Sequence, residues 1–209
     1  MEAPQGGPTE ILEVTIERKG GVTVVRLINS GFREDAAWNE EYEGVVSGWK
    51  MSLAILKYYL ENYLGCAKTT LLLMRPASFS YEQLHSYLAD SSKLALWLTK
   101  SGSIGKVGNV CKLEFRDGGT LTGEVLADSG REMTVSWEEI KGTLELKGFS
   151  MCSQRVAGVR CITWRSTEEQ TQRLKKQLNE AVERLAALLP AYAADAASHP
   201  NGTPLQEMK

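Results

Sequence analysis

The sequence predicts an α+β fold. A curved antiparallel sheet wraps around one long C-terminal helix, and a hairpin with its own long helix precedes it. Three observations predict this. A run of strand candidates follows residue 109, broken by "DGG", "DSG" and "IKG", each a compact turn signal. A long helix closes that run, with Leu174, Leu178, Ala181, Leu185, Leu188 and Tyr192 at steps of three and four. A hairpin and a second long helix already stand near the start of the chain, where such a pair is not expected to close anything.

Taken in order, the Gly- and Pro-rich residues 1–9 are expected to be disordered. Val14 and Ile16 alternate with Glu13, Thr15 and Glu17, and Gly20-Gly21 signals a hairpin whose return strand holds Val22, Val24 and Leu27. The helix after it carries one apolar stripe: Tyr42, Val45, Trp49, Leu53, Leu56, Leu60 and Tyr63. Gly65 ends it. "KTTLLLMR" is a short strand stopped by Pro76, and Ser80 with Gln83 has the capping-box pattern that opens a short helix. "DSSKLALWL" is a second short helix, capped near Asp90 or Ser91. "SGSIGKVGN" reads as a loop. "VCKLEFR", "TLTGEVLA", "EMTVSWEE", "GTLELKGF" and "VAGVRCITWR" read as strands. "TEEQ" from Thr167 is another capping-box pattern at the start of the last helix, which Pro190 kinks or stops. The expected organisation is therefore a disordered start (1–9), a partial unit (10–65), a complete domain (66–192) and a flexible tail (193–209).

Composition narrows the function classes. The chain has 209 residues, 43% hydrophobic and 24% charged, enough for a real core. A formal net charge of −2 offers no basic excess for nucleic acid. No apolar run reaches the roughly 20 residues that span a bilayer. "MEAPQGGPTE" lacks the basic and apolar regions of a signal peptide, so the expected location is the cytoplasm. Cys66, Cys111, Cys152 and Cys161 match no zinc or redox spacing and are expected as reduced, buried or half-buried thiols.

The two long helices occupy similar places. Leu53, Leu56 and Tyr59-Leu60 correspond to Leu185, Leu188 and Tyr192 about 132 positions later, each helix following a hairpin. From Lys68 to Tyr192 the order is β–α–α, an antiparallel meander, then a long helix, which is the helix-grip arrangement. Here the sequence resembles the SRPBCC (START/Bet v 1-like) superfamily, in the subgroup related to the C-terminal domain of activators of the Hsp90 ATPase. "GGTLTGEVLADSGREMTVSWE", Gly118 to Glu138, is similar to a pair of that group's strands. Val14 to Glu61 is similar to its final hairpin, Gly-Trp element and helix, with Gly48-Trp49 followed by Leu53, Leu56, Tyr59 and Leu60. Met74 to Leu98 fits its Pro, short helix, then helix ending in Trp. The last helix departs from the pattern, with Glu180-Ala181 where Gly-Trp would stand. The likeness covers most of residues 10–192, with a first copy that lacks its front half.

Motifs for chemistry are few. "GSIGKVG" fails as a phosphate loop, because its spacing is short and Val107 stands where Ser or Thr would bind magnesium; it is expected as a flexible loop at the cavity mouth. His85 has no Asp, Glu or Cys at ligand spacing and His199 lies in the tail, so no metal and no catalytic triad is expected. Glu138 and Glu139, as strand neighbours, would point to opposite faces; Glu168 and Glu169 suit a helix start. Of the five tryptophans, Trp38, Trp49, Trp97, Trp137 and Trp164, the strand residues Trp137 and Trp164 either line a pocket or simply pack the core.

The resemblance implies an apolar cavity between sheet and helix. Its candidate lining is Phe115, Val125, Met133, Val135, Trp137, Leu146, Leu178 and Leu185. The expected function is non-enzymatic binding of a lipophilic small molecule or a protein partner in or beside that cavity, with no cofactor and with a chaperone as one candidate partner. A polyketide cyclase/dehydratase-like enzyme is the alternative, and it would need polar groups converging on the pocket. A dimeric interaction module is a further one. Open strand edges and an uncovered helix face predict a homodimer through residues 10–64, with Tyr42, Trp49, Leu53, Leu56 and Leu60 as packing candidates.

Overall fold

The computed structural model describes residues 10–32, 39–151 and 154–189. Trp38, Cys152, Pro190, Tyr192, His199 and the expected disordered start and tail lie outside them. Contacts divide the chain into two units, residues 1–49 and 50–209, with the division inside the first helix.

The first unit holds a hairpin, β1 (Ile11–Lys19) and β2 (Val22–Ser30), paired in register from Ile11–Ser30 to Lys19–Val22. Gly20 and Gly21 both take positive φ at the turn, which their lack of a Cβ permits. The hairpin is a sheet of its own, and most of its side chains are exposed. Helix α1 (Asn39–Asn62) follows as one 24-residue element.

The second unit is built on a seven-stranded antiparallel sheet in the order β3-β9-β8-β7-β6-β5-β4. Its strands are β3 (Lys68–Pro76), β4 (Thr99–Ser103), β5 (Val110–Phe115), β6 (Thr120–Asp128), β7 (Met133–Trp137), β8 (Gly142–Met151) and β9 (Gln154–Trp164). Two short helices, α2 (Tyr81–Ala89) and α3 (Ser91–Trp97), link β3 to β4, and α4 (Glu168–Leu188) closes the unit. Ser80 caps α2 by accepting from the Gln83 N–H. Asp90 caps α3. The Ser92 hydroxyl, with the backbone N–H groups of Ser92 and Lys93, holds its carboxyl below the usual range. At α4, Thr167 and Gln170 complete a reciprocal capping box. This is the helix-grip fold: an antiparallel sheet around a long C-terminal helix.

Alternation along the strands sets the core. Cys111, Leu113 and Phe115 of β5, Leu121 and Val125 of β6, and Val159 and Cys161 of β9 face α4. The helix meets them with Leu174, Leu178, Ala181, Val182 and Leu185. Between β3 and β9 the backbones run so close that a Cβ on Gly158 would lie 1.9 Å from the Leu73 carbonyl oxygen.

Strand β7 is buried at all five positions. A strand can bury both faces only if something covers each of them, and here residues 50–66 supply the second cover. Ile55 packs with Ile162 and Trp164 of β9, joined by Tyr58, Tyr59, Tyr63 and Cys66. Tyr63 stacks on Trp164 at 4.8 Å between ring centroids and 7° between planes. The Thr134 hydroxyl lies 3.3 Å from Met51 Sδ. The sheet of this unit is thus sandwiched between α4 and the second half of α1.

Three sequence expectations change here. Thr99–Ser103 is a strand, so the stretch read as a loop from Ser101 begins inside the sheet. Glu138 and Glu139 lie in a 3-10 turn (Glu138–Ile140) that Lys141 ends at φ 51, not on a strand. The single stripe of α1 separates: Tyr63 packs on the sheet, while Tyr42, Leu56 and Leu60 are exposed.

Candidate functional site

All eight cavity candidates come together. Phe115, Val125, Met133, Val135, Trp137, Leu146, Leu178 and Leu185 are buried in the one cluster between sheet and α4. Phe115 and Trp137 stack at 4.8 Å, and the Trp137 indole N–H donates to the Thr120 carbonyl at 3.0 Å. These side chains pack against one another, and of the eight only Trp137 also borders the cleft described next.

That cleft, of about 540 Å³, opens where α4 begins. Trp137, Ile140 and Leu174 give it apolar walls, and Trp164, whose ring stacks on Tyr63 at the other face of the sheet, also borders it. Four cations surround it: Lys112 from β5, Lys141 after the 3-10 turn, Arg165 after β9, and Arg173 from α4. One carboxylate, Glu139, also lines it and accepts the Thr122 N–H at 2.9 Å. The turn between β5 and β6 forms one side. Gly118 and Gly119 hold positive φ there, and Gln177 donates to the Gly118 carbonyl at 2.8 Å. Arg184 reinforces the same turn with an ion pair to Asp117 at 2.6 Å and a bond to the Trp97 carbonyl at 2.8 Å. The cleft is therefore an amphipathic opening with a preponderance of positive charge and a fixed rim.

The expected mouth loop is elsewhere. Gly102 and Ser103 continue β4 opposite Leu113 and Lys112, and the Gly108 N–H donates to the Val125 carbonyl. Residues 102–108 do not line this cleft. Backbone pairing, not ligand access, fixes them.

The other face of the sheet holds charges that sequence reasoning missed. Glu145 is 0% exposed on β8. It accepts from Arg160 of β9 at 2.5 Å, while its second oxygen has no partner among the described residues. Burial pushes its carboxyl up, against the pull of Arg160 and Lys147. Lys147 pairs with Glu132 at 2.9 Å on the same face. Strand alternation gave the signal, since 143, 145 and 147 share a face, but nothing in the sequence said that this face is covered. His85 has a carboxylate partner after all, Asp128 at 2.8 Å, 43 positions away. Burial raises the Cys111 thiol and lifts that of Cys161 to about 12. Cys66 is half-buried, with the Arg165 Nε at 2.9 Å from its sulfur.

A groove of about 440 Å³ runs along the outer face between α1 and β9, lined by Ile55, Leu56, Tyr59, Arg160, Ile162 and Trp164 among others. Among the described residues no three His, Cys, Asp or Glu side chains gather as a metal site, and no helix is long and apolar enough to cross a membrane.

Fold and cleft together define a helix-grip protein with an opening at the start of its long helix. No protein-family model and no curated protein matches the sequence. Solved structures do resemble it. A dimeric Aha1 from Colwellia psychrerythraea is 18% identical, with a TM-score of 0.47 over 59% of this chain and 96% of that one. A conserved protein of unknown function from Enterococcus faecalis is 16% identical, with a TM-score of 0.47 over 71% and 90%. DynU16, from the dynemicin biosynthetic locus, is 16% identical, with a TM-score of 0.45 over 57% and 46%. At these identities the likeness is one of fold.

Proposed function

We propose that this chain is a non-enzymatic binding protein whose ligand is an apolar molecule with an anionic end, held in the cleft at the start of α4. The observation that carries this reading is the pairing of apolar walls (Trp137, Ile140, Leu174) with four cations around one opening. Its volume of about 540 Å³ lies within the range of small-molecule sites. An apolar body would displace water from the apolar lining, and a carboxylate or sulfonate would sit among Lys112, Lys141, Arg165 and Arg173. The titratable groups support binding over catalysis. Glu139 is already engaged by the backbone, and the buried carboxylates Glu132 and Glu145 belong to the opposite face of the sheet.

The test is a fluorescence titration with anilinonaphthalene sulfonate and with an uncharged naphthalene of similar size. Arg173→Glu and Lys141→Glu should each weaken the sulfonate about tenfold and leave the uncharged probe within about twofold. Saturable sulfonate binding that ignores both substitutions, or no saturable binding of either probe, overturns the reading.

A further inference from the structure

We propose that the groove along the outer face of the sheet is a second small-molecule site, and that it takes an apolar, uncharged molecule bearing a carbonyl group. All of its lining lies within residues 50–209. Its volume of about 440 Å³ is in the range of small-molecule sites. The second half of α1 gives one wall, with Ile55 and Tyr59, and β9 gives the other, with Ile162 and Trp164. Trp164 supplies the observation that points to a ligand. Three tryptophans are buried among the described residues. Two of them have paired indole N–H groups: Trp97 donates to the Tyr87 carbonyl at 2.9 Å and Trp137 to the Thr120 carbonyl at 3.0 Å. Trp164 is 1% exposed, yet its N–H has no partner among the described residues. A buried indole normally finds an acceptor, because a donor left unpaired keeps the whole cost of its desolvation. Tyr63 stacks on the ring at 4.8 Å and Tyr59 at 5.9 Å, which holds the indole in one orientation.

The other polar groups select the chemistry of the occupant. Among the described residues that line the groove there is no carboxylate, so a cationic ligand finds no counter-charge there. The two cations, Lys68 and Arg160, do not call for an anion either. Glu145 already matches the charge of Arg160 at 2.5 Å, and Lys68 is exposed, where water and salt screen it. The Tyr59 hydroxyl is engaged by the Gly65 N–H at 3.0 Å. What the groove offers is an unpaired neutral donor beside apolar side chains. A carbonyl oxygen answers that donor without the desolvation cost that a carboxylate carries. The cleft at the start of α4, with four cations around it, asks instead for an anion. The two openings therefore differ in the ligand charge that they favour.

Acetophenone, a small uncharged aromatic ketone, is the probe, titrated into the full chain. The readout is the proton–nitrogen resonance of the Trp164 indole, identified by its absence from Trp164→Phe. That resonance should move downfield and saturate below about 10 mM, the weak affinity expected of so small a ligand. Ser52→Phe, which fills the groove from a half-buried position on α1, should weaken binding about tenfold or more with the far-UV spectrum unchanged. Trp164→Phe keeps a ring and loses the donor, and should weaken binding about tenfold by ligand-detected saturation transfer. Should that variant fail to fold, the wild type and Ser52→Phe carry the test. Trp164 also borders the cleft, so Arg173→Glu is the control and should leave acetophenone affinity within about twofold. An indole resonance that stays put across the titration overturns the proposal, since ordered water then satisfies the donor. So does binding indifferent to Ser52→Phe, or binding weakened severalfold by Arg173→Glu, which would put the ketone in the cleft. The sulfonate titration reads the cleft, so either proposal stands or falls alone.

Discussion

The two long helices look alike in sequence and behave differently in the structure. Helix α4 has one apolar stripe, and its sheet buries it: Leu178 and Leu185 are fully enclosed. Helix α1 has two apolar sides. The side that covers its sheet, around Met51 and Ile55, is not the one whose periodicity is most regular. The lesson is that periodicity identifies a face that wants a partner without saying which partner is present. Truncation on each helix sharpens this. Leu178→Ala should cost about 4 kcal/mol by urea denaturation, because it opens a cavity under the sheet. Leu60→Ala, at an exposed position, should cost under about 0.5 kcal/mol. A cost for Leu60→Ala above about 1.5 kcal/mol would show that Leu60 is packed within the chain and would erase the contrast.

The two faces of the sheet differ in a parallel way. The α4 side is apolar, while the α1 side places Glu145 and Arg160 in a largely buried ion pair. Arg160→Met leaves the Glu145 carboxylate without its guanidinium and should cost about 3 kcal/mol near pH 8, at the low end because Arg160 retains some exposure. The pH dependence has a definite sign. The folded Glu145 carboxyl is raised above its ordinary value, so between the two the folded state binds more protons than the unfolded one. Stability therefore falls as pH rises through that window and is regained as pH falls back through the raised folded value. Without Arg160 the raise is larger, so the penalty of Arg160→Met should shrink markedly near pH 5. A penalty of equal size at both pH values would mean that Glu145 is not the group left behind.

These contrasts also show what was legible. Eight of the nine strands, the four helices among the described residues and the caps at Ser80, Asp90 and Thr167 follow from short-range chemistry, and the sequence carries that chemistry openly. The eight residues proposed for the cavity converge because period-two alternation fixes which side chains share a face. Whether a gap remains between them depends on packing volumes, which no pattern records. The cations of the cleft come from four separate segments, and each alone reads as an ordinary surface residue. Strand β4 was hidden because "TKSGS" is polar and glycine-bearing; its pairing with β5, not its composition, makes it a strand. The bond between His85 and Asp128 was hidden by its 43-residue separation. The cover on the second sheet face was missed because the helix that supplies it precedes the domain in sequence.

A more modest effect concerns how α4 begins. Thr167 accepts from the Gln170 N–H at 3.2 Å, and the Gln170 side chain accepts the Thr167 N–H at 3.0 Å, so two otherwise unpaired donors are satisfied. The Thr167 carbonyl also receives the Thr171 hydroxyl at 2.9 Å. Thr167→Ala should destabilise the domain by about 1 kcal/mol, and Thr167→Ser or Thr167→Asp should recover most of it. Gln170 also lines the cleft, so the cap and the site share a residue. If the cap only starts the helix, Thr167→Ala lowers stability and leaves sulfonate affinity within about twofold. A larger loss of affinity at equal stability would mean that the first turn of α4 must be held in place for the cleft to form, tying the better-packed helix directly to binding.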